Sequence, residues 1–251
     1  MVLMAAGGRS PAAAQAKGPD VRALTFDVFG TVVDWRSSLI RELTALGKAK
    51  GVQANWPKFA DGWRRGYGPG MDQIRKGDLP WMKIDQLHRM ILDRLLAEFG
   101  LTGLSEAEKD ELNRAWHRLD PWPDAVTGLA RLKKKYIIAT LSNGNVSLLT
   151  NMAKHAGLPW DCILSSELAK HYKPDREVYL MAADLLGLRP EQILMVAAHR
   201  GDLRAAGSVG MKRAYVPRPA EHGPGGQAEP PDPDFEVVAK DFVDLARRLG
   251  A

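Results

Sequence analysis

Short apolar runs rich in β-branched residues recur along the chain at Val21–Val28, Tyr136–Leu141, Cys162–Ser165, Ile193–Ala197 and Arg213–Val216. Runs of this length and composition predict buried strands. Three-to-four apolar spacing over Val146–Ala156, Glu177–Leu186 and Leu203–Val209 predicts helices between the later strands. Alternating strand and helix predicts an α/β fold with a parallel sheet covered by helices on both faces.

One connection is too long for a simple crossover. Helical spacing fills the interval between the first two strands, over Leu39–Ala49, Lys58–Ile74, Trp81–Phe99 and Glu106–Leu119. Ser105 and Glu108 form a capping-box pattern ahead of the last of these. Pro121, Pro123 and Asp124 mark the return to the sheet. The expected organisation is a flexible lead at 1–19, a core domain from 20–35 and 121–251, and a helical cap subdomain at 36–120. Such an insertion sits over the carboxyl ends of the strands, where open α/β sheets bind ligands. Toward the C-terminus, Pro217–Pro233 reads as a Pro- and Gly-rich loop, Phe235–Val238 as a short edge strand and Phe242–Leu249 as a closing helix.

Composition narrows the function class. Apolar residues are 45% of the 251, so a full core is within reach and global disorder is not expected. The formal charge of +5 suits an anionic ligand, but the basic residues are scattered. Lys133–Lys135 is the one run, and it reads as a solvated helix end. No nucleic-acid motif is found, and no apolar run is long enough to span a bilayer, so neither partner is expected. The single cysteine, Cys162, excludes an internal disulfide and a cysteine-based metal site. The first residues lack a basic region ahead of a real apolar stretch, so a cytoplasmic location is expected over secretion.

The candidate chemistry lies at the strand ends. The first strand ends in Asp27, followed by Gly30 and Thr31; the second ends in Ser142 and Asn143. Lys173 follows the third, in Tyr-Lys-Pro-Asp. The fourth runs into Ala-Ala-His-Arg-Gly-Asp, which supplies His199 and Asp202. If those strands are neighbours, all these groups face one crevice. A carboxylate at such a place can act as a nucleophile and form an ester that water later cleaves.

The segments Asp-Val-Phe-Gly-Thr (27–31), Leu-Ser-Asn-Gly (141–144), Tyr-Lys-Pro-Asp (172–175) and Ala-His-Arg-Gly-Asp (198–202), in this order, resemble the haloacid dehalogenase superfamily. Within it they are similar to the L-2-haloacid dehalogenases, over roughly residues 20–251. The resemblance implies a Rossmann-like core with an inserted helical cap. Phosphatases of the superfamily carry a second aspartate two residues after the nucleophile, to protonate a leaving alkoxide. Here that position is Phe29. A halide is a very weak base and leaves without a proton. The expectation is therefore metal-free, cofactor-free displacement of halide from a short 2-haloacid by Asp27, then hydrolysis of the aspartyl ester.

The resemblance also implies roles for the other residues. Lys173 keeps Asp27 ionised, because a nearby ammonium lowers a carboxylate pKa. Thr31, Ser142 and Asn143 hydrogen-bond the substrate carboxylate or Asp27, although Ser-Asn-Gly is also turn chemistry. Arg64 in the cap receives the halide ion, with Arg65 and Arg75 as competing assignments. Trp63, Trp81 and Tyr67 line the halide pocket or belong to the cap core. The subfamily often has Ser-Ser-Asn where this chain has Ala197-Ala198-His199. Asp202, with or without His199, orients or activates the hydrolytic water; the alternative is that His199 only packs and hydrogen-bonds. Family members often pair as homodimers, and that expectation carries over. Competing functions are ring opening of a strained carboxylate such as azetidine-2-carboxylate, a Mg2+-dependent phosphatase, and a non-catalytic binding protein.

Overall fold

The computed structural model describes residues 21–251, and the lead assigned to 1–19 lies outside the described residues. In chain order the elements are β1 (Ala23–Phe26), β2 (Val33–Asp34), α1 (Trp35–Lys50), α2 (Trp56–Arg65), α3 (Tyr67–Lys76), α4 (Ile84–Glu98) and α5 (Glu106–Asn113). A 3₁₀ turn at Arg114–Arg118 then leads to β3 (Asp120–Pro121), α6 (Ala125–Leu132), β4 (Ile137–Ser142), α7 (Val146–Ala156), β5 (Cys162–Ser165), α8 (Ser166–Ala169) and α9 (Arg176–Leu186). A second 3₁₀ turn, Pro190–Gln192, precedes β6 (Ile193–Ala197), α10 (Arg200–Ser208), β7 (Lys212–Tyr215), β8 (Val237–Val238) and α11 (Phe242–Arg248).

Six strands form one sheet in the order β5-β4-β1-β6-β7-β8, and every pairing in it is parallel. The order explains where the site lies. The chain moves from β1 to β4 on one side and returns to β6 on the other, so the carboxyl ends of β1, β4 and β6 flank one switch point. Period-two alternation divides the core. Leu24 and Phe26 pack with α6, α7, α11 and the inserted helices, whereas Ala23 faces Ala139, Met195, Val178 and Tyr179 on the α9–α10 side.

Helices α1 to α5 all lie between β1 and β4. Their ends carry local signals. Asp34 and Asn55 accept the Ser37 and Lys58 N–H groups at the starts of α1 and α2, and Ser105–Glu108 forms the capping box of α5. Asp85, at the start of α4, binds the helical layer to the core through Asn145 Nδ2 (3.0 Å) and holds His117 Nε2 of the 3₁₀ turn at 3.1 Å.

Three expectations change. The helix expected over Lys58–Ile74 is two, α2 and α3, divided at Gly66. Pro69 lacks the N–H that would continue the ladder, and a Cβ on Gly66 would lie 2.8 Å from Ile91, so the break lets α4 pack closely. The helix expected to run to Leu119 tightens into 3₁₀ after Asn113. The antiparallel pair β2–β3 was not expected. It pairs Val33 with Pro121 and Asp34 with Asp120, where the chain leaves and re-enters the core.

Candidate active site

Asp27 follows β1 directly, and its N–H donates to Val196 O of β6 at 3.0 Å, which extends the ladder by one residue. Its side chain therefore emerges at the switch point. Both carboxylate oxygens are taken. Lys173 Nζ donates to Oδ1 at 2.9 Å; the Thr31 hydroxyl donates to Oδ2 at 2.6 Å, and His199 Nδ1 lies 2.9 Å from the same Oδ2. Burial alone would raise the Asp27 pKa, but Lys173, His199 and Thr31 outweigh it and hold the carboxyl far below the usual range. A fully ionised carboxylate, held by three donors, fits a nucleophile.

Gly30 has φ +83°, a left-handed turn that swings the chain back so that Thr31 faces Asp27. The Thr31 hydroxyl oxygen accepts the Ala198 N–H at 2.9 Å, so its own hydrogen points to Asp27. Lys173 is buried and bridges two carboxylates, with Nζ 2.6 Å from Asp202 Oδ2. Burial opposes its charge, yet Asp202 and Asp27 raise its pKa, so it stays an ammonium. Asp202 Oδ1 accepts the Tyr179 hydroxyl at 2.6 Å. Burial, aided by the Asp27 charge, raises the Asp202 pKa against the pull of Lys173 and Tyr179. Asp202 is thus the more basic of the two carboxylates.

A cavity of about 300 Å³ opens over Asp27. Phe29, Arg64, Tyr67, Asn143, Lys173 and Tyr179 are among its walls, with His199 and Asp202 on the core side. Arg64 comes from α2, and its guanidinium carbon lies 4.4 Å from the centre of the Tyr67 ring. The alternatives to Arg64 point elsewhere. Arg65 lines surface clefts away from Asp27. Arg75 binds Asp175 at 2.8 Å and the Lys173 carbonyl at 2.6 Å, so it anchors the backbone that carries the lysine. Phe29 is buried edge-on to Trp116, Tyr67 and His88. Of the three aromatics considered for the pocket, Tyr67 lines it. Trp63 is buried in the core, its Nε1 donating to His88 O, and Trp81 packs on Tyr172.

Asn143 lines the cavity, with its Oδ1 committed to the Ser166 hydroxyl and the Lys173 N–H, both at 2.7 Å. Its Nδ2 makes long contacts to Met71 Sδ at 3.4 Å and Lys173 O at 3.5 Å and also reaches the Tyr67 hydroxyl, so it is a donor at the cavity wall. Ser142 is not brought to the cavity. Its fully buried hydroxyl oxygen accepts the Gly144 N–H at 3.1 Å, which is turn chemistry and not ligand binding.

Two participants escaped sequence reasoning. Tyr179 sits on the first turn of α9, six residues after Lys173, and reads as an ordinary helical aromatic. Glu221 lies in the Pro- and Gly-rich segment read as a plain loop. Its carboxylate is buried, 2.9 Å from His199 Nε2 through Oε2, and Oε1 accepts Trp35 Nε1–H at 3.1 Å. His199 thus stands between two carboxylates. Burial would lower its pKa, but Asp27 and Glu221 push it up to about 10. At neutral pH it is an imidazolium. An imidazolium has no lone pair for water, so the expectation that His199 helps activate water as a base does not suit the resting site.

A family model described as haloacid dehalogenase-like hydrolase matches residues 21–210. The chain is 32% identical over 221 residues to (S)-2-haloacid dehalogenase 4A of Burkholderia cepacia, covering 86% of this chain and 87% of that protein. Among solved structures it is similar to the L-2-haloacid dehalogenase PA0810, with 47% identity, a TM-score of 0.88, and coverage of 92% of this chain and 99% of that one. It is also similar to the defluorinating L-2-haloacid dehalogenase Rha0230, with 46% identity, a TM-score of 0.89, and coverage of 92% and 96%. The parallel sheet, the strand-end residues and these likenesses agree: the chain belongs to the haloacid dehalogenase-like hydrolases.

Proposed function

We propose that this protein hydrolyses short 2-haloacids to 2-hydroxy acids through an ester on Asp27, without a metal ion. Asp27 Oδ1 attacks C2 from the side opposite the halogen. The new O–C2 bond forms as the C2–halogen bond breaks, and the bonding pair leaves with the halide. Arg64 and the Asn143 amide face the cavity as donors for the two anions, halide and substrate carboxylate. Water then adds to Cγ of Asp27 and gives a proton to Asp202. The Cγ–Oδ1 bond breaks, and the departing alkoxide takes that proton. The free carboxyl of Asp27 loses its proton to solvent, so the turnover yields one hydroxy acid, one halide ion and one proton.

The observation that carries this reading is Phe29. A buried aromatic ring stands where phosphoryl chemistry would need a proton donor, so the wall beside Asp27 can serve a leaving group that needs none. The donors on Asp27 and Asp202 support the metal-free form. Lys173, Thr31, His199 and Tyr179 occupy the oxygens that a divalent cation would use. The cavity, at the lower end of ligand-site volumes, favours haloacetates and 2-halopropionates. Likeness to a defluorinating relative adds fluoroacetate to that range.

The test is halide release from (S)- and (R)-2-chloropropionate, chloroacetate and fluoroacetate, with EDTA present, by the natural chain and by Asp27→Asn. Release that ignores EDTA and vanishes in the variant supports the reading. A single turnover in 18O-water should place the label in Asp27 and not in the product. No halide from any of the four acids, or loss with EDTA, overturns it.

A further inference from the structure

Both ring nitrogens of His199 face carboxylate oxygens, Nδ1 at 2.9 Å from Asp27 and Nε2 at 2.9 Å from Glu221. A neutral ring would aim one lone pair at an oxygen lone pair, so both nitrogens must donate. The Glu221 side is a built feature. Trp35 Nε1–H fixes Oε1, and a Cβ on Gly30 would lie 2.1 Å from that oxygen, so the turn after Asp27 leaves room for this carboxylate. Arg218, three residues earlier, ties the segment down. It donates to Thr31 O at 2.9 Å, pairs with Asp124 at 2.7 Å and lies 4.7 Å from the centre of the Phe242 ring. Glu221 is thus held against the same turn that carries Thr31.

We propose that Glu221 is a positioning residue for ester hydrolysis: it holds the His199 imidazolium with Nδ1–H on Asp27 Oδ2, so that His199 and the Thr31 hydroxyl form a two-donor cradle for the oxyanion. This rests on the Asp27 ester proposed above. Oδ1 becomes the ester oxygen, and Oδ2 remains the carbonyl oxygen. When water adds to Cγ, the carbonyl π pair moves onto Oδ2, where Thr31 and His199 already donate. Donors fixed before the charge develops stabilise it without reorganisation. Glu221 touches no reacting atom; it acts through His199. The charged groups around the ring are Asp27, Glu221, Lys173, Asp202 and Arg64, at the end of β1, in the segment after β7, in the turn before α9, on α10 and on α2.

The test separates the two half-reactions in Glu221→Gln, with chloroacetate as probe. Halide release in the first turnover should stay within about twofold of the natural chain, because Oδ1 keeps its Lys173 contact and Arg64 keeps its place on the Tyr67 ring. Ester hydrolysis should slow about 10-fold or more, as when an oxyanion donor is weakened, and the Asp27 adduct should accumulate in the intact mass. The alkaline limb of hydrolysis and the NMR titration of His199 in the resting protein should both move to lower pH. Glu221→Asp, which keeps the charge, should recover part of the rate and of the titration. An unchanged His199 titration in Glu221→Gln, or equal slowing of both half-reactions, overturns the positioning role. Absence of halide release by the natural chain overturns the haloacid reading itself, which the His199 titration does not depend on.

Discussion

His199 Nδ1 lies 2.9 Å from Asp27 Oδ2, the oxygen opposite the one that Lys173 holds. The Asp27 carboxylate is thus gripped by cations on both sides, and each cation leans on a further carboxylate, Asp202 or Glu221.

That arrangement predicts an alkaline loss of stability. The His199 pKa rises from 6.5 to about 10 on folding, so its contribution is fully present below 6.5 and is lost as pH rises through about 10. Urea unfolding midpoints should fall between pH 7 and 10, and His199→Asn should flatten that fall. Equal slopes in both proteins would show that the ring is not held charged.

His88 predicts the opposite limb. It is fully buried, stacked 4.1 Å from Trp116, and neither ring nitrogen has a partner among the described residues. Burial pushes its pKa down to about 3, so stability is lost as pH falls from 6.5 toward 3. His88→Phe should leave stability at pH 7 unchanged or higher, since an unpaired buried polar group costs about 1–3 kcal/mol. It should also make the acid loss shallower, as read by thermal melts across that range.

Arg64 and Arg65 should part company in kinetics. Arg64→Ala removes the cavity's guanidinium and should lower halide release about 10²–10³-fold, the scale for one lost charge-stabilising donor. Arg64→Lys should recover only part, because an ammonium cannot reproduce the planar contact on Tyr67. Arg65→Ala should leave both kcat and KM near their natural values.

Phe29→Ala should destabilise the fold by about 3–5 kcal/mol, the usual cost of emptying a buried aromatic site. Phe29→Leu should cost much less, about 1.5 kcal/mol or under. Denaturant titration of the pair measures how much of the ring's role is volume.

The sheet was legible because its strands are short apolar runs and the segments that follow β1, β4, β5 and β6 carry polar residues that a core has no use for. Asp27, Lys173, His199 and Asp202 could be read for that reason, and the structure gathers them within hydrogen-bond reach. Arg64 was separable from Arg65 only by which face of α2 meets Tyr67, a tertiary fact. Ser142 misled because one Ser-Asn-Gly sequence serves ligand binding and turn capping equally well. Glu221 left no trace, since an aperiodic segment carries no pattern from which burial can be read. The strands β2 and β3 were too short for any alternation to show.

That small pair has a wider meaning. The chain departs toward α1 through β2 and comes home through β3, and these two strands lie side by side. The helical layer therefore leaves and rejoins the core at one place, while Asp85–Asn145 and Arg75–Asp175 tie it to the core elsewhere. The sheet side supplies Asp27, and the helical layer supplies Arg64 and Tyr67 to the same cavity. The cavity is thus a joint product, and neither stretch of sequence encloses it alone.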